Sequence, residues 1–108
     1  MTVLTIRAHK RYAVRQTVQL RQKGAKPVAG LMIELSSEGC RISSLGRPAF
    51  TLGDPVTVEV DGITLNGRLR WMHDGIAGVR LETALYSGQL AELIARGRGE
   101  AAELRYGT

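Results

Sequence analysis

From Val14 the chain alternates. Val14, Gln16, Val18 and Leu20 share one face, and Arg15, Thr17, Gln19 and Arg21 the other. A period of two with β-branched residues predicts a strand. Lys23-Gly24-Ala25-Lys26-Pro27 has turn composition. A second strand is expected over Val28–Leu35, with Ala29, Leu31, Ile33 and Leu35 on one face. Ser36-Ser37-Glu38-Gly39 interrupts it, and residues 40–43 resume the alternation, so a tight Ser/Gly turn joins two strands. Residues 45–54, with Gly46, Pro48 and Gly53, make a connecting loop.

The next hairpin is the clearest. Val56, Val58 and Val60 alternate, Asp61-Gly62 intervenes, and Ile63, Leu65, Leu69 and Trp71 continue. A two-residue turn there pairs Val60 with Ile63 and Val58 with Leu65, which matches the apolar faces. Asn66-Gly67 is a competing turn signal, but it leaves too short a strand, so Gly67 belongs inside the long one. At Asp74-Gly75 a two-residue turn sets Trp71 against Gly78 and Leu69 against Arg80. A three-residue loop instead pairs Met72 with Ile76, Trp71 with Ala77 and Leu69 with Val79. The second register keeps apolar against apolar and is the one expected.

After Leu81 the period changes. Ser87 is the expected helix N-cap, Leu90, Leu93 and Ile94 recur at helical spacing, and Gly97 and Gly99 should end or weaken the helix. The predicted class is all-β: a small six-stranded antiparallel barrel with a C-terminal α-helix covering one opening. Residues 1–9 are expected to be a flexible basic arm, 10–98 the barrel domain with its helix, and 99–108 a tail.

Composition narrows the function. At 108 residues and 44% hydrophobic the chain suits one domain with a real core. No run is long and apolar enough to span a membrane, no signal-peptide pattern is present, and the single Cys40 fits a reducing compartment, so a cytoplasmic location is expected. The net charge of +5 is unevenly spread: residues 1–33 hold seven Lys or Arg and no acid. Such an end attracts a phosphorylated or polyanionic ligand, the bland alternative being a solvated basic face. His9, Cys40 and His73 lie far apart with no zinc spacing, and neither serine of the turn sits in a nucleophile elbow. Gly97-Arg98-Gly99-Glu100-Ala101-Ala102 imitates a dinucleotide fingerprint but follows a helix rather than a strand. No pair of acids stands out as an acid/base couple, so neither an enzyme nor a metal or cofactor site is expected.

The positive signal is Arg11-x-x-x-Arg15, just before the first strand-like segment, answered by Glu34-x-Ser36-x-x-Gly39 at the turn after the second. In these motifs the sequence resembles the PilZ domain family, bacterial receptors for cyclic di-GMP. The resemblance spans about residues 10–96 and includes Gly53-Asp54, Leu69-Arg70-Trp71 and Gly78-Val79-Arg80-Leu81. It implies a six-stranded barrel with a C-terminal helix, cyclic di-GMP bound by Arg11, Arg15, Glu34, Ser36 and Gly39, and an effector protein downstream. Arg7 and Lys10 are auxiliary electrostatic contacts. Arginine suits this ligand, because its planar fork pairs with phosphate oxygens and with guanine O6 and N7, and it stacks on purines.

Glu34 departs from the family's Asp or Asn. Its carboxylate still accepts from guanine N1–H and N2–H2, or it pairs with Arg11 or Arg15 and holds the arm shut. Ser36 is either a phosphate donor or a turn former. Gly39 allows a positive φ and a close backbone approach. Trp71 is expected in the barrel core, and Arg41 and Arg70 face outward. Two rival readings stand beside the receptor. One is a degenerate PilZ-like module that binds only protein. The other, a small basic barrel on DNA or RNA, is disfavoured because Tyr12 is the only aromatic beside the basic segment.

Overall fold

A computed structural model of the chain describes residues 10–106, with side chains through Arg98. Six strands form in order: β1 (Tyr12–Gln22), β2 (Val28–Leu35), β3 (Gly39–Ser43), β4 (Pro55–Val60), β5 (Ile63–His73) and β6 (Ile76–Leu81). One helix follows, α1 (Ser87–Tyr106). All neighbours are antiparallel, and the order β1-β2-β3-β6-β5-β4 closes through the pairing of β4 with β1. Closure leaves no open sheet edge. The expected arm 1–9, with Arg7, lies outside the described residues.

Turn chemistry sets the hairpins. Asp61 and Gly62 have φ of 53° and 84°, and Asp74 and Gly75 have 51° and 77°. Two successive positive φ values make a two-residue turn whose twist matches that of the strands. At Asp61-Gly62 the expected register is found, with Val60 opposite Ile63 and Val58 opposite Leu65, and Gly67 lies inside β5. At Asp74-Gly75 the expected three-residue loop is not. His73 faces Ile76, Met72 faces Ala77 and Trp71 faces Gly78, and then the register shifts so that Leu69 still faces Val79. A β-bulge at Arg70 absorbs the mismatch that had spoken against the short turn.

The same device corrects β2. Its core residues are Met32 and Leu35, whereas Ala29 is exposed and Leu31 and Ile33 are half-buried. Met32 and Leu35 are three residues apart, so strict alternation puts them on opposite faces. A bulge between Met32 and Glu34 returns Leu35 to the interior. Val18, Leu20, Ile42, Val58 and Leu69 complete the barrel's centre. Gln22 is the one buried polar residue among the described side chains, and its amide is satisfied: it donates to the Thr51 carbonyl at 2.8 Å and accepts from the Thr51 N–H at 2.7 Å. This pair fastens the 45–54 loop to the end of β1.

The helix packs on β1, and its Leu93 is fully buried in the core, with Leu90 and Ile94 partly buried against it. Burial of a leucine of this kind contributes about 1.5–3 kcal/mol. The Tyr86 carbonyl accepts the first helical bond, from the Leu90 N–H at 3.0 Å, which moves the cap from Ser87 to Tyr86. Gly97 and Gly99 do not end the helix, which runs on to Tyr106. Gly97 is buried against β1, and that contact rather than termination accounts for it. No helix among the described residues is long and apolar enough to cross a membrane.

Candidate functional site

One lateral row of residues crosses five strands. Ala13 on β1 pairs with Glu34 on β2, Glu34 with Arg41 on β3, Arg41 with Gly78 on β6, and Gly78 with Trp71 on β5. The β1–β2, β2–β3 and β5–β6 registers each shift next to this row. Bulges re-aim the side chains beside them. Their joint effect is to turn Glu34, Arg41 and Trp71 to the outer surface while Leu35, Cys40, Val79 and Leu69 point inward.

Trp71 is therefore not in the core. It is 38% exposed, because the bulge at Arg70 reverses the parity that alternation along β5 had implied. Its indole lies across Gly78, where a Cβ would come within 2.2 Å of Nε1. The Arg41 guanidinium sits 5.4 Å from the ring centroid on the same surface, a cation–π arrangement.

Beside this shelf lies a cleft of about 220 Å3. Its walls include Arg11, Glu34, Ser36, Gly39, Arg41, Arg70, Trp71 and Arg80. Four arginines face it against two carboxylates, those of Glu34 and Glu38, so the cleft is cationic. Glu34 spans the charges: one oxygen lies 3.4 Å from Arg11 Nε, and the other 3.8 Å from Arg41 Nη1. Arg80 reaches toward Glu38 at 3.9 Å. Arg70 has no ion-pair partner among the described residues.

The turn after β2 is built by its serine. Ser36 Oγ accepts from the Glu38 and Gly39 N–H groups, each at 3.2 Å, and the Ser36 N–H donates to the Gly39 carbonyl at 2.9 Å. This is the local side-chain turn that serine favours. From behind, the Leu81 N–H donates to the Glu38 carbonyl and the Leu85 N–H to the Ser37 carbonyl, each at 2.8 Å. Gly39 is not among the residues of positive φ. What requires glycine is proximity, because a Cβ would lie 2.3 Å from the Val79 carbonyl oxygen. Cys40, beneath the cleft, is buried, and desolvation pushes its thiol up to about 12, so no thiolate is available there near neutral pH.

Of the residues singled out in sequence, Arg11, Glu34, Ser36 and Gly39 come together at the cleft. Arg15 does not line it. It lies within β1 rather than before it, exposed beside the β1–β2 register shift, and makes no ion pair among the described residues. Lys10 is exposed next to Arg11. Sequence reasoning left Arg41, Arg70, Arg80 and Trp71 out of the site. Alternation did place Arg41 and Arg70 outward; nothing local marks the bulge that brings out Trp71.

The α1 helix holds the start of β1. Arg98 Nε donates to the Ala13 carbonyl at 2.9 Å, and its guanidinium lies 5.9 Å from the centroid of the Tyr12 ring. The stretch between Arg11 and Arg15 is thus gripped by the helix.

Comparison with known proteins agrees with the fold. The sequence model of the PilZ domain matches residues 5–96. The fold is similar to the crystal structure of the PilZ domain of CeSA from a cellulose-synthesizing bacterium, at a TM-score of 0.62 and 21% identity over 85% of this chain and 98% of that one. No curated protein matches the sequence.

Proposed function

We propose that this chain, which belongs to the PilZ domain family, is a receptor for cyclic di-GMP that passes the signal to an effector protein. The observation that carries the reading is the cationic cleft of Arg11, Arg41, Arg70 and Arg80 set directly beside the exposed Trp71 shelf. Cyclic di-GMP offers two phosphates and two guanines. Guanidinium forks suit its phosphates and guanine edges, and the indole suits a purine face. Family membership supports nucleotide binding of this type in general.

Arg11 and Arg15 form the clamp in this reading, with Arg15 reaching the ligand from the rim. Ser36 and Gly39 give a turn whose backbone approaches closely, and Glu34 accepts from a guanine edge. Lys10 adds positive potential, as does Arg7, which lies outside the described residues. The cleft of about 220 Å3 is smaller than the roughly 300–1,000 Å3 of an enclosing ligand pocket, so the ligand lies across an open surface.

One observation favours a second reading. Glu34 already occupies Arg11 and Arg41, as a degenerate module that docks only protein would allow. Calorimetric titration of cyclic di-GMP against pGpG and GTP separates the two. Saturable heat with the cyclic dinucleotide alone supports the receptor. No heat at tens of micromolar ligand supports the protein-only module.

A further inference from the structure

We infer that Glu34 is the specificity-determining residue of this cleft, an internal counter-ion that rejects phosphate ligands lacking a guanine. The inference rests on the receptor reading above but is tested separately from it. Its basis is the way the carboxylate is held. Each oxygen serves a different arginine, Arg11 on one side and Arg41 on the other. The separations of 3.4 and 3.8 Å are those of loose ion pairs rather than tight charge-assisted hydrogen bonds. Both arginine side chains are nearly half exposed, so solvent competes and the pairs separate at small cost.

A phosphate that binds in the cleft against Arg11 and Arg41 competes with the carboxylate for them. Taking them strands a negative carboxylate beside a negative phosphate at the centre of the row. A ligand carrying only phosphates, or phosphates with adenine, leaves that repulsion in place. Adenine has no N2–H2 donor, and on its Watson–Crick edge the N6–H2 donor stands beside the lone pair of an unprotonated N1, so it satisfies one carboxylate oxygen and repels the other. Guanine offers N1–H and N2–H2 together, and these satisfy both Glu34 oxygens as the arginines are withdrawn. Specificity then comes from a penalty on the wrong ligand as well as a contact to the right one. Arg41 also stands over Trp71, so the same exchange frees the indole face for a base.

The test compares the natural protein with Glu34→Gln, which keeps the side chain's length and removes its charge. Affinities for inorganic pyrophosphate, cyclic di-AMP and cyclic di-GMP are read from the emission of Trp71, the chain's single tryptophan. The natural protein should prefer cyclic di-GMP to cyclic di-AMP by at least about tenfold. The glutamine variant should gain about three- to tenfold for pyrophosphate and for cyclic di-AMP and lose most of that preference. Unchanged or weaker binding of pyrophosphate and cyclic di-AMP by the variant overturns the inference, even if the natural protein binds cyclic di-GMP. If the natural protein ignores cyclic di-GMP while the variant gains pyrophosphate, the receptor reading falls and the counter-ion role stands.

Discussion

Gly97 of α1 and Val14 of β1 touch backbone-close: a Cβ on Gly97 would lie 2.9 Å from the Val14 Cβ and 3.2 Å from its Cγ1. Alanine at a helix interior normally gains about 1 kcal/mol over glycine. Here the added methyl meets the root of a side chain on a strand, which has little room to yield. Overpacking of this kind costs about 1–3 kcal/mol. Gly97→Ala should therefore lower stability by up to about 2 kcal/mol in urea denaturation. A stabilised variant would show that the helix does not sit this close to β1.

Arg15 is exposed and without an ion pair among the described residues, and Arg11 holds Glu34 only loosely. Arg15→Ala should abolish cyclic di-GMP binding by calorimetry and leave the melting temperature of the free protein nearly unchanged. Arg11→Ala should do the same, with at most about 1 kcal/mol lost from the exposed pair. A large drop in melting temperature for Arg15→Ala would make that arginine structural.

Gly78 makes the shelf on which Trp71 lies. A Cβ there comes within 2.2 Å of the indole nitrogen, and the indole is exposed enough to swing away. Gly78→Ala should shift the Trp71 emission and weaken cyclic di-GMP binding by about tenfold, the scale of one lost base–aromatic stack. Stability should change by less than about 1 kcal/mol, because the displaced ring moves into solvent rather than into the core. Unaltered emission in the alanine variant would show that the ring does not rest on residue 78.

Burial raises the Cys40 thiol from an ordinary 9.0 to about 12. The folded state therefore keeps its proton at a pH where the unfolded chain has lost it. The resulting stability is complete below about pH 9 and is lost progressively as pH rises toward 12. Cys40→Ala should flatten the alkaline slope of the stability curve relative to the natural protein. A thiol reagent at pH 8 should label the natural protein slowly when folded and quickly in urea. Rapid labelling of the folded protein would contradict the burial.

Local pattern was sufficient for much of this molecule. The strands, the Asp61-Gly62 hairpin with its register, the amphipathic helix and the arginine and Ser/Gly motifs are all written in neighbouring residues, because period, turn chemistry and motif spacing are short-range properties. The bulges at Ile33 and Arg70 are not written there. Each adds one residue to a strand, which has meaning only against the partner strand, and each reverses the parity beyond it. That reversal brings Leu35 inside and Trp71 out. The alignment of Ala13, Glu34, Arg41, Gly78 and Trp71 likewise exists only once five strands are side by side. Gly39 and Gly97 carry the same lesson: what demands glycine is a backbone or side chain forty or eighty positions distant, Val79 or Val14, brought into contact by closure of the barrel and docking of the helix.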